Sequence, residues 1–146
     1  MFIKSMTLTL TVSLLFINSV EANELSFSIL GLNNSNDNTK VYVQLFKGEE
    51  NYQKGISHSA SVVNVTKSEV VISFNNLKVG DYAVRYFHDL NNNGKMDVNL
   101  FGSPFEGYGF SNNEKPNYGP VKYHKAKFSV SSNNENVNHS TVIYGE

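Results

Sequence analysis

The densest run of oxygen-bearing side chains is Asp89-Leu90-Asn91-Asn92-Asn93-Gly94-Lys95-Met96-Asp97. It follows D-x-N-x-N-G-x-x-D, which puts side-chain oxygens at positions 1, 3, 5 and 9 of a calcium loop and glycine at position 6, where such a loop turns sharply. The backbone carbonyl of Lys95 falls at the seventh position. Hard donors at this spacing suit Ca²⁺, and no soft ligand adjoins them. The expected metal set is therefore Asp89, Asn91, Asn93, Lys95 and Asp97, with Glu106 completing or supporting the shell. Position 12 holds Leu100 rather than the bidentate Glu of an EF-hand, and no helix pattern follows. Glu106 is the nearest downstream carboxylate, and Asn99 can lend an amide oxygen. Two formal negative charges set the expected affinity low, on the order of 10⁻⁴ to 10⁻³ M, which suits a structural ion rather than a signalling switch. The competing reading is an empty turn, because Asn93-Gly94 between strand-like flanks is also a strong hairpin signal. Four oxygen ligands in register with the glycine favour the ion.

Other chemistry is sparse. Gly102 to Asn113 interleaves glycines with Phe105, Tyr108 and Phe110, a pattern that lets backbone approach a partner while rings supply contact area. It reads either as a surface for sugar or peptide or, the favoured reading, as an Ω-type loop whose rings serve as local core. His88 abuts Asp89, so a metal-assisted hydrolase using His88, Asp89 and Glu106 is the alternative function; it requires those side chains to converge on an open cleft. No Gly-x-Ser-x-Gly, His-Glu-x-x-His or phosphate-loop signature occurs, so no catalytic residues and no organic cofactor are assigned. The sequons at Asn33, Asn64 and Asn138 are no more than chance supplies in a chain with 21 Asn.

The elements that must position these residues are strands. Leu25 to Ile29, Lys40 to Lys47, Ser59 to Val65, Glu69 to Phe74, Asp81 to His88, Ala126 to Ser131 and Ser140 to Tyr144 are β-rich, most with period-two alternation, about seven strands with Asn/Ser/Gly turns between them. No stretch shows an amphipathic helix. Short, evenly spaced strands predict an all-β, antiparallel Greek-key sandwich. Leu77-x-x-Gly80-x-Tyr82 carries the spacing of a tyrosine corner, with Tyr82 bonding back to backbone at the preceding turn. Asp89 to Gly119 breaks the rhythm for about thirty residues; its aromatics are too many for a solvated linker, so an ordered loop is expected.

Composition narrows the setting. A net charge of −1 argues against a nucleic-acid binder, which would show a basic stripe, and gives no pull towards anionic lipid. Absence of Cys removes disulfides, thiol catalysis and Cys-ligated zinc. Lys4, the apolar run Leu8 to Ile17 and Val20-Glu21-Ala22 read as a secretory signal cleaved near Ala22; the run is too short to span a bilayer. Asn23 to Glu146 is then one exported domain, periplasmic or secreted, without a membrane span.

Leu77-x-x-Gly80-x-Tyr82-Ala83-Val84, Phe87-His88-Asp89-x-Asn91-x-Asn93-Gly94-Lys95-x-Asp97 and Gly102-x-Pro104-x-Glu106-Gly107-Tyr108-Gly109-Phe110-Ser111-Asn112-Asn113 together resemble the secreted bacterial family called domain of unknown function 2141. The resemblance runs from about Leu25 to Tyr144. It implies a prealbumin-like, immunoglobulin-type sandwich, a fold that in some members carries Asp/Asn-rich calcium loops, and it implies no established activity. The expected function is an exported, non-enzymatic module with a structural Ca²⁺ loop, its partner a protein, peptide or glycan at the cell envelope.

Overall fold

A computed structural model of the chain describes residues 23–33, 38–132 and 135–145. The expected export signal, residues 1–22, lies outside the described residues, as does part of the sequon at Asn33. The described elements are β1 (Asn23–Leu30), β2 (Lys40–Lys47), α1 (Glu49–Lys54), β3 (Ser59–Asn64), β4 (Glu69–Leu77), β5 (Gly80–Asp89), β6 (Gly107–Phe110), α2 (Tyr123–Ala126), β7 (Phe128–Val130) and β8 (Asn136–Thr141). The all-β class is as expected, and the strand count rises to eight because β6 lies inside the segment expected to be irregular.

Two sheets face each other. The smaller has the order β4-β1-β8; the larger has β3-β2-β5-β6, with β7 also paired to β5. All pairings are antiparallel except β1 with β8, which run parallel from Leu25 opposite Asn136 to Leu30 opposite Thr141. This departs from the purely antiparallel expectation. The chain leaves β7 in the larger sheet, crosses to the smaller one, and joins β1 at the end where β1 itself begins.

Alternation builds the core. Leu25, Phe27 and Ile29 of β1, Val41, Val43 and Leu45 of β2, and Tyr82, Val84 and Tyr86 of β5 meet between the sheets, each nearly or fully buried. Odd-numbered residues of β5 face the other way, where Ala83 joins Phe46, Tyr52, Phe110, Val121, Tyr123 and Ala126 in a second apolar cluster. That cluster is roofed by α1 and α2, two short helices the sequence did not announce. Gly48, the acidic Glu49-Glu50 turn, Lys54 and a left-handed Gly55 do mark the ends of α1. A single buried residue, Tyr52, is too little for an amphipathic stripe to show.

Strand ends also differ. β4 runs on to Leu77, β7 is shortened because Ala126 closes α2, and β8 begins at Asn136 and ends at Thr141. Beyond it Ile143 makes only a bridge to Tyr108. The Tyr82 hydroxyl donates to the Lys78 carbonyl at 2.8 Å, tying the entry of β5 to the turn before it as the Leu77–Tyr82 spacing predicts.

Candidate functional site

β5 delivers Asp89 at its last residue, fully buried, and the chain then folds back over it. One carboxylate oxygen of Asp89 accepts the Asn93 N–H at 3.1 Å and the other the Gly94 N–H at 2.8 Å. The Asn91 and Asn93 side-chain carbonyls accept the N–H groups two residues on, from Asn93 at 3.1 Å and Lys95 at 2.8 Å. These are Asx turns, the local bond that makes Asn a turn residue. Their amide nitrogens donate to one oxygen of Asp97, at 2.6 and 2.9 Å. Gly94 takes φ +75°, the left-handed turn that glycine adopts at no steric cost. Asp89, Asn91, Asn93 and Asp97 are thus drawn onto one another. Lys95 is exposed, and its N–H serves the loop.

Glu106 holds the two ends together. It is 3% exposed, one oxygen accepting the Leu90 N–H at 2.9 Å and the other the Asp97 N–H at 3.1 Å. Hydrogen bonds to an ionised carboxylate are stronger than neutral ones, so this is a clasp across the loop mouth. Between Asp97 and Glu106 the chain doubles back, with a Val98–Pro104 bridge and the Phe105 N–H bonded to the Asp97 carbonyl at 2.9 Å. Asn99 is spent inside that hairpin, its carbonyl accepting the Phe101 and Ser103 N–H groups. Leu100 is fully exposed at the tip.

His88 does not join them. Successive strand residues point to opposite faces, so His88 turns into the space between the sheets while Asp89 turns out. The Asn33 N–H donates to the Tyr144 hydroxyl at 2.8 Å, and that hydroxyl is hydrogen-bonded to His88 Nδ1 at 2.7 Å. His88 Nε2 is hydrogen-bonded to Thr39 Oγ1 at 2.9 Å. Burial pulls the imidazole below its ordinary value, and the nearby Asp89 charge offsets part of that. Both ring nitrogens are engaged in a buried network, so the convergence that the hydrolase alternative requires is not there.

The Gly/aromatic segment fits its favoured reading as local core in part: Phe110 is buried in the second apolar cluster and Tyr108 packs against it, whereas Phe105 is exposed. In β6 the glycines face inward: a Cβ on Gly107 would stand 2.4 Å from the Tyr144 ring, and one on Gly109 2.2 Å from the Tyr86 hydroxyl. Tyr108 and Phe110 therefore face out, edge to face at 6.2 Å. Beside them the rings of Tyr42 and Phe87 stack in parallel at 4.9 Å. Together with Met96 and Arg85 these residues enclose a hollow of about 340 Å³. A second hollow, about 620 Å³, shares Met96, Tyr108, Phe110 and Pro120 and extends to Phe101 and Tyr118. Phe101 is 92% exposed and Tyr118 fully so. The strand's period of two decides this, since it sends alternate residues to opposite faces and the inward ones are glycines.

Two residues without a role in the sequence reading matter here. Ser111 is fully buried, accepting the Val84 N–H at 2.9 Å and donating to the Ala126 carbonyl at 2.6 Å, so it anchors α2 to β5. Arg85 lies over the rings of Phe46 and Tyr52, at 4.3 and 4.8 Å from their centroids. The signal for Arg85 was its place on one face of β5 between Ala83 and Phe87.

Fold and site together define a β-sandwich with a clasped Asp/Asn loop beside an aromatic groove. The chain belongs to the family described as an uncharacterized protein conserved in bacteria (DUF2141), which matches residues 31–138. No curated protein matches the chain, and no solved structure does.

Proposed function

We propose that this chain is an exported, non-enzymatic binding module in which the Asp89–Asp97 loop holds a structural Ca²⁺ and so braces one wall of the aromatic groove, the binding face for an envelope protein, peptide or glycan. The observation that carries the reading is the convergence of Asp89, Asn91, Asn93 and Asp97 in one nine-residue loop, the Asn91 and Asn93 amides on Asp97 and the Asp89 carboxylate on the loop backbone between them. The two Asp89 oxygens and the Asn91 and Asn93 side-chain oxygens each accept one N–H from the loop backbone and, as sp² oxygens, have a further lone-pair direction for a hard cation. The ion would displace the two Asn amide nitrogens from Asp97, and the Lys95 carbonyl would complete the near side. Glu106 supports this shell by tying the Leu90 and Asp97 N–H groups together across the loop mouth. Export rests on the N-terminal pattern Lys4, Leu8 to Ile17 and Val20-Glu21-Ala22, and agrees with the absence, among the described residues, of a helix long and apolar enough to cross a membrane.

Calorimetric titration of the purified domain with Ca²⁺ tests the ion. The expected result is saturable heat in the range of about 0.1–1 mM and a higher melting temperature. Both responses should be lost in D89N/D97N. Absence of heat at millimolar ion together with an unmoved melting temperature leaves the loop as an empty turn.

A further inference from the structure

Arg85 is a half-buried cation to which the described residues bring no acid. Its guanidinium is half-buried against Phe46 and Tyr52, and among the described residues it has no carboxylate within 4.0 Å; the ion pairs there are Lys54–Glu50 and Lys127–Asp81. Glu49 lines the same region, but its carboxylate accepts the Gln53 amide at 3.1 Å. The Tyr52 hydroxyl donates to the Val121 carbonyl at 2.7 Å, so it offers Arg85 no anion either. Burial draws the guanidinium below its ordinary value, as befits a cation that has lost water without gaining an acid. Ring faces replace part of that hydration, but a guanidinium in this setting retains a planar fork of N–H donors suited to two carboxylate oxygens.

The surroundings say what the carboxylate is attached to. Arg85 lines the first hollow with Phe87, Met96 and Tyr108, its cross-strand partner Gln44 exposed beside it, and it also borders the hollow between Tyr52 and Tyr123. The apolar lining does not stop there; it continues into the second hollow under Phe101 and Tyr118. Such a trough takes an elongated ligand, charged at its end and apolar along its length. We infer that the groove binds the C-terminal carboxylate of a peptide whose last residues carry apolar side chains, with Arg85 taking the carboxylate, Gln44 the adjoining amide and the Tyr108 wall the side chains. This rests on the binding-module reading and names its ligand.

The test uses the purified domain in the presence of Ca²⁺, titrated with an acetylated tetrapeptide ending in Leu-Phe, the same peptide as its C-terminal amide, and 4-phenylbutyrate, followed by ¹H–¹⁵N chemical shifts. The free acid should bind saturably, shifting residues of β5, β6 and the Met96 region, and should bind at least about tenfold more tightly than the amide, as expected for loss of a charge-assisted pair. R85Q should bring the acid down to the affinity of the amide, and R85K should fall between. Equal affinity of acid and amide for the unaltered protein overturns the inference and needs no variant to fold. So does 4-phenylbutyrate binding as tightly as the peptide, which would make the ligand a small acid, or shifts confined to another face. Arg85 is no part of the Asp89–Asp97 loop, so the calcium titration of R85Q should match that of the unaltered chain. The two readings therefore fail separately.

Discussion

At the scale of single residues, His88 is the group whose chemistry the fold has most altered. It is buried between Tyr144 and Thr39, one ring nitrogen hydrogen-bonded to each hydroxyl. Its folded value lies below the ordinary one, so the unfolded chain binds the proton first as pH falls. The stabilising contribution is therefore full above about pH 6.5, the unfolded value, and is lost as pH drops through the window down to the folded value. The melting temperature should fall between pH 7 and pH 5, and H88Q should flatten that part of the profile. Asp81 acts in a different window: the bonds from Lys127 and Ser129 lower its value, so its contribution is lost only below the ordinary carboxylate range. A pH 7-to-5 slope that H88Q leaves unchanged would remove His88 as its source. That His88 is titratable was plain from the sequence; that its neighbours are Thr39 and Tyr144, 49 and 56 residues away, was not.

At the scale of elements, the Asp89–Asp97 loop is mostly local and therefore mostly readable. Asx turns act over two residues, and the Asp89 carboxylate reaches only four and five residues on. Glu106 is another matter, since it meets Leu90 and Asp97 only because the Val98–Pro104 hairpin returns the chain. Removing its carboxylate in E106A strands two backbone N–H groups, each costing about 1–3 kcal/mol if it stays dry. The expected outcome is a lower denaturant midpoint and new proteolytic cleavage between residues 90 and 105. Unchanged cleavage in E106A would mean the rings alone hold the segment. The same hairpin carries Leu100 and Phe101 out into solvent rather than onto the sandwich. The residue types show that β6 carries the rings of Tyr108 and Phe110, but not which side of the sheet they would take.

At the scale of the whole molecule, the two sheets depend on the last strand. β8 closes the smaller sheet in parallel with β1, Ser140 accepts the Tyr86 hydroxyl at 2.9 Å, and Val142 and Tyr144 pack on the inter-sheet core. A chain ended after Ser131 loses all of these and exposes one edge of β1. Such a chain should show no cooperative thermal transition by circular dichroism. A transition within a few degrees of the full chain would assign β8 a peripheral role. Alternation made most of the strands legible, because apolar side chains at every second position must leave water together. The sequence by itself determined the all-β class, most of the strands, the tyrosine corner and the oxygen-rich loop, since each rests on bonds or periods spanning a few residues. Only packing decided which face of β5 meets the other sheet, that His88 and Asp89 part company, that Glu106 clasps the loop, and that Arg85 has no acid within 4.0 Å among the described residues. Period two fixes that a strand has two faces; only the packing of distant strands and helices determines what each face meets.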